Sequence, residues 1–212
     1  SQLTITGGNA SGEISTGSFD KGLTATAVTL DDTGAILATL EMSATSAAIL
    51  AGTIDGAQAN NGTLKITGAT KTINGVVGGT NALLNIDIDE EAIFSNNVSA
   101  LGMNIAASQV AIFKGDITAG SSKLISIGTL SMGGSAAQTV TGLVQGNGTA
   151  GALTVSNAAG ATFVNEIGGL VNSNLEMQTI TTTGTGRIAL TLDNNISNSI
   201  QNLFSKIYFP IN

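Results

Sequence analysis

Residues 92 to 119 nearly copy themselves, and this repeat restricts the fold more than any other feature of the chain. Ala92-Ile93-Phe94-Ser95-Asn96-Asn97-Val98-Ser99-Ala100 returns at once as Ala111-Ile112-Phe113-Lys114-Gly115-Asp116-Ile117-Thr118-Ala119, a step of 19 in the numbering. Within each copy Phe94 and Val98, or Phe113 and Ile117, are four apart, an even spacing that puts both on one side of extended chain. The same frame recurs farther along, where Phe113, Ile117, Ile125 and Ile127 become Phe163, Ile167, Leu175 and Met177. Ile73-Val77-Leu84-Ile86 and Val140-Val144-Leu153-Val155 supply two further copies with small loop changes. Five tandem frames imply a solenoid, propeller or array, in which each repeat buries its apolar side against its neighbours.

The apolar residues alternate in short runs such as Leu84-Ile86-Ile88 and Ile188-Leu190-Leu192, each bounded by Gly, Asn, Ser or Thr. That is the strand-and-turn pattern. Asn61-Gly62, Asn74-Gly75 and Asn147-Gly148 are turn dipeptides, since both residue types accept positive φ. Aromatic residues are only 3% of the chain, with no Trp, although 42% is hydrophobic. Ile, Leu, Val and Ala must therefore fill the interior, which suits narrow stacked coils.

Rival repeats fit less well. The leucine-rich frame is absent, and propeller blades need about 40 residues per repeat. An antiparallel sandwich does not require equivalent inward residues at a constant step. The expected fold is all-β: one parallel β-helix over residues 1–192, of roughly 8–10 coils stacked about 4.8 Å apart. Phe94/Phe113 and Val98/Ile117 are expected as internal stripes, with Ile73, Phe94, Phe113, Val140 and Phe163 in one column. In residues 1–60, Phe19-Leu23-Val28-Leu30 and Ile36-Leu40-Ala48-Leu50 fit the frame at a shorter step, 17 to 19 in the numbering. Residues 193–212 break the pattern and are expected to form a cap or tail, with Ile196, Ile200, Phe204 and Tyr208 on one face of a short helix.

The repeat vocabulary itself is distinctive. Gly-Thr-Leu-x-Ile, Thr-Ile-x-Gly-x-Val-Gly-Gly, Asn-x-Leu-x-x-Ile and x-Phe-x-x-x-Val-x-Ala occur in order across residues 62–86, 92–100, 111–119 and 151–177. These segments, about a third of the chain, resemble passenger-domain repeats of rickettsial surface antigens, the autotransporters of the outer-membrane protein A and B type. The resemblance implies a right-handed β-helix displayed at the cell surface through a barrel not contained in this chain. It also implies adhesion to a host-cell surface protein or other surface ligand, or a role as a structural stalk. No catalytic, cofactor-binding or metal-binding residue is carried over from it.

Composition narrows the chemistry. Seven Lys and Arg against 14 Asp and Glu give a formal charge of −7, which excludes a clustered basic surface for nucleic acid. The chain has no His and no Cys, which removes the usual near-neutral base, thiolate chemistry and disulfides. No apolar run is long enough to mark a spanning helix. The N-terminus, Ser1-Gln2-Leu3-Thr4-Ile5, has neither initiator Met nor a signal-peptide pattern, so the sequence is expected to be a mature or excised piece.

Four constellations bear on chemistry. The acidic run Asp87, Asp89, Glu90 and Glu91 lacks the spacing of an EF-hand or a calcium-binding β-roll, so it is read as a solvated turn. Asp31-Asp32-Thr33-Gly34 is likewise read as a turn. Asp116, Glu166 and Glu176 are the carboxylates from which a polysaccharide hydrolase or lyase would be built. Asp116 and Glu166 are expected on the same position of different coils, about 10 Å apart. Thr24, Thr26, Thr179, Thr181, Thr182, Thr183 and Thr185 raise an ice-binding alternative, which needs Thr at fixed positions on many successive coils. Gly146-Asn147-Gly148 does not open a helix after a strand and carries no dinucleotide signal. The non-catalytic adhesive or structural reading is preferred, with no cofactor or metal expected.

Overall fold

Every pairing between strands among the described residues is parallel, and each joins residues one coil apart. The computed structural model describes residues 1–7, 15–20, 22–33, 36–43, 45, 48–50, 52–120, 124–146, 151–165, 167, 179–183 and 188–190. Among these residues there is no helix, and the fold is a parallel β-helix of three faces visited in turn.

Face one is the seven-stranded sheet of Ala48–Leu50, Lys71–Ile73, Ala92–Phe94, Val110–Phe113, Thr129–Met132, Ala152–Val155 and Thr179–Thr182. Seven strands make six turns. Face two runs from Gln2–Thr6 through Ala27–Asp31, Thr53–Gly56, Val77, the start of Val98–Ile105, Ile117–Ala119, Gln138–Thr141 and Ala161–Phe163 to Ile188–Leu190. It starts earlier and ends later than face one, and has nine rungs. Face three holds Ser15–Phe19, Ala38–Met42, Thr63–Ile66, Leu83–Ile88, the end of Val98–Ile105, Leu124–Ile127 and Leu143–Gly146. The eight-residue strand Val98–Ile105 turns the corner between faces two and three without a break.

Alternation builds the core. On face one Ile73, Phe94, Phe113, Met132 and Val155 stack in register, each at most 1% exposed. The rings of Phe94 and Phe113 lie 4.8 Å apart and within 2° of parallel, the distance of one coil step. On face two the inward column is Val28, Ile54, Val77, Val98, Ile117, Val140 and Phe163. On face three Leu40, Leu64, Ile86 and Met103 do the same.

The expected single column is thus corrected. Ile73, Phe94 and Phe113 stack as expected, but Met132 and Val155 continue their column, while Val140 and Phe163 belong to face two above Ile117. The cause is that two different corners both place inward residues four apart. Phe113 to Ile117 crosses from face one to face two through Gly115, and Val140 to Val144 crosses from face two to face three through Gly142. Gly142 has φ +126°, a backbone that side-chain-bearing residues rarely adopt. The likeness of Gly62–Ile66 to Gly151–Val155 misleads for the same reason: Leu64 lies on face three and Leu153 on face one.

The short step expected for residues 1–60 is also overturned. Leu3 pairs with Val28 and Val28 with Ile54, steps of 25 and 26, while Leu40 pairs with Leu64, a step of 24. Phe19 and Leu40, which the sequence frame puts in different roles, both sit on face three, and Phe19 pairs with Met42. The cap expected at 193–212 lies outside the described residues.

Buried hydrogen bonds lock the corners. Gln138 Nε2 donates to the carbonyls of Phe113 (3.0 Å) and Gly115 (2.8 Å), and its Oε1 accepts from Gly134 N (3.0 Å) and Asn157 Nδ2 (2.9 Å). Four partners across three coils leave this amide fully satisfied, which makes its burial tolerable. Asp32 does similar work at the N-terminal end, where its carboxylate accepts from Ala38 N (2.7 Å) and Gly62 N (2.9 Å).

Candidate functional site

The outward positions of face three carry two polar rows that line an open groove. Inward Leu40, Leu64 and Ile86 fix the register, so the residues between them must project outward. One outward row is Thr16, Thr39, Thr63 and Asn85, paired coil on coil. The next row, two residues on, is Ser18, Glu41, Lys65 and Asp87. Thr16, Thr39, Glu41, Thr63, Lys65, Asn85 and Asp87 line a shallow open groove of about 490 Å³, with Leu37 and Leu84 at its margin.

The groove's charges are partnered within the face. Thr67 Oγ1 donates to Glu41 Oε1 (3.1 Å), Lys65 Nζ lies 3.6 Å from Asp89 Oδ2, and Asn85 Nδ2 donates to Asp87 Oδ1 (2.7 Å). Partial burial holds the Asp87 carboxyl above the usual carboxylate range; Asn85 and Lys65 oppose the shift, and Asp89 adds to it.

The acidic run is divided among different partners. Asp87 faces the groove, Asp89 pairs with Lys65, and Glu91 Oε2 accepts from Thr70 Oγ1 (3.0 Å). Glu90 acts electrostatically on Lys71, whose side chain points into the core and whose ammonium donates to the Ala69 carbonyl. No three acidic side chains converge closely enough to hold a metal among the described residues.

The frame that set Ile167 over Ile117, from which the Asp116–Glu166 pairing was expected, is corrected by the register. Ile167 pairs with Val144 on face three, whereas the residue paired with Ile117 on face two is Val140. Glu166 and Glu176 themselves lie outside the described residues. Asp116 instead belongs to a capping ladder. Asn97 Oδ1 accepts from Asp116 N (3.0 Å), and Asp116 Oδ1 accepts from Thr139 N (2.7 Å).

Comparison with known protein families, curated proteins and solved structures gives no match to this chain. The groove is consequently read from its own geometry.

Of the threonines singled out in the sequence, Thr24 and Thr26 sit before the second rung of face two, and Thr179, Thr181 and Thr182 lie in the last described strand of face one, with Thr183 just after it. Thr185 lies outside the described residues. A more regular hydroxyl column appears on face two, where Thr4 pairs with Thr29 and Ser99, Thr118 and Thr141 stack in order. Asp55 and Gly78 occupy the rungs between these groups. Sequence reasoning missed both this column and the groove, because each is visible only once the correct coil step is known.

Proposed function

We propose that this chain is a segment of a surface-displayed autotransporter passenger, acting without catalysis as an adhesive module or as a stalk that holds one. The observation that supports it is the unbroken run of nine parallel rungs on face two. Such a stack keeps a constant cross-section and offers long lateral faces to a partner. The low charge and the Ser, Thr and Asn surface suit hydrogen-bonded contact with an external ligand, and the resemblance of residues 62–86, 92–100, 111–119 and 151–177 to rickettsial passenger repeats points the same way. A host-cell surface molecule is the partner in this reading, and the outer face of a bacterial outer membrane is the location. The test is saturable binding of the fluorescently labelled chain to cultured mammalian cells, displaced by unlabelled chain. Only non-saturable background would remove the adhesive role.

The ice-binding alternative draws support from the Thr4–Thr29 and Ser99–Thr118–Thr141 column. Its interruption at Asp55 and Gly78 ranks it second. Thermal hysteresis in a freezing-point measurement would reverse that order.

A further inference from the structure

The most informative side chain outside the core is Thr63. It is only 9% exposed, it lines the groove of face three, and its hydroxyl has no hydrogen-bond partner among the described residues. The hydroxyl still reaches the open groove, so its donor and its acceptor are both presented to whatever lies there. Thr16 and Thr39, its register partners, likewise make no side-chain hydrogen bond among the described residues. Three open hydroxyls therefore stand in line at the coil spacing of about 4.8 Å, beside a second polar row about 7 Å away along the strands.

We infer that this groove binds a neutral, polyhydroxylated chain, an extended oligosaccharide lying along the coil axis. This rests on the adhesive reading and names the ligand class for it. Threonine hydroxyls, the Asn85 amide and the Lys65 ammonium present both donors and acceptors, as vicinal sugar hydroxyls require. Rigid strands hold these groups in place, so little ordering is needed on binding. Leu37 and Leu84 give the rim apolar surface for sugar C–H groups. Anionic polymers are disfavoured by Glu41, Asp87, Asp89 and the net charge of −7. A cationic peptide finds carboxylates already engaged by Thr67, Asn85 and Lys65.

The experiment is calorimetric titration of the full chain with three neutral hexasaccharides: chitohexaose, cellohexaose and a linear mannohexaose. Hexalysine serves as the charge control. At least one hexasaccharide is expected to bind saturably, and Thr39→Val and Lys65→Met are each expected to weaken it at least tenfold. Thr141→Val, on face two, should leave it unchanged. Far-UV circular dichroism confirms folding, and Thr16→Val replaces either variant that fails this check. The inference is overturned by no hexasaccharide binding, by binding that ignores the groove substitutions, or by hexalysine binding more tightly than every sugar. Groove variants that lose sugar but still bind cells would place the adhesive contact elsewhere and leave the sugar site standing. Wild-type chain that binds cells but no sugar would sink the sugar site alone.

Discussion

Lys71 occupies an inward position that its register partners on the next two coils fill with Ala92 and Ala111. Its side chain is fully buried, and burial lowers its pKa from 10.5, with Glu90 pulling part of the way back. Between that lowered value and 10.5 the unfolded chain keeps a proton that the folded chain has released. Stability contributed at this site therefore rises with pH through that window and is greatest above 10.5. Lys71→Met removes the buried charge, so the variant is expected to be at least as stable as the parent near neutral pH. The parent should then gain on it as the pH rises toward 10.5. Urea denaturation of both proteins across this range measures the difference, and a pH-independent gap would contradict the account. Even spacing from the inward Ile73 puts Lys71 on the same side, but a lysine at the head of a short run does not read as core in the sequence alone.

At the scale of the strand, Phe94 and Phe113 are legible as a stripe because the near-copy around them preserves both residues and their step. Their stacked rings bear this out. The later coils mislead, since Met132 and Val155 give weaker signals than a second Phe, and since corners through Gly115 and Gly142 produce the same spacing of four on different faces. Gly115 also shows why one corner admits little but glycine. A Cβ there would stand 2.5 Å from the Asn96 carbonyl carbon and 2.6 Å from Asn97 N, both backbone atoms that cannot swing aside. Truncating the stripe tests its weight. Phe113→Ala is expected to cost about 3–5 kcal/mol in denaturant unfolding. A double-mutant cycle with Phe94→Ala should show coupling of roughly 0.5–1.5 kcal/mol, as ring stacking requires. Strict additivity of the two losses would mean the rings do not support one another.

Over the whole molecule, the fold class and the parallel stacking were available from the repeat, whereas the length of each coil was not. Coils of unequal length share one cross-section because the additional chain falls between strands. On face two Val98 pairs with Ile117, a step of 19, and Phe163 pairs with Leu190, a step of 27. Nine rungs give a rod of about 40 Å at the coil spacing. The groove on face three was hidden for the same reason, since Thr16 meets Thr39, and Thr39 meets Thr63, only at steps of 23 and 24. A signal for it exists in hindsight: Thr16, Thr39 and Thr63 are each followed, two positions on, by Ser18, Glu41 and Lys65, a Thr-x-polar triplet once per coil. Without the register these triplets do not stand out from the many other Thr residues of the chain.

The register is the claim on which everything else depends, and the absence of native cysteine makes it directly measurable. Outward Ile112 and Ser131 are register partners on face one, whereas stacking Phe113 over Val140 would instead place Ile112 beside Thr139. Adjacent parallel strands bring such partners within disulfide reach, and residues on different faces are too far apart. Under mild oxidation the Ile112→Cys/Ser131→Cys protein is expected to lose both free thiols as an intramolecular disulfide, while Ile112→Cys/Thr139→Cys keeps both thiols. A disulfide in the second protein and none in the first would contradict this register.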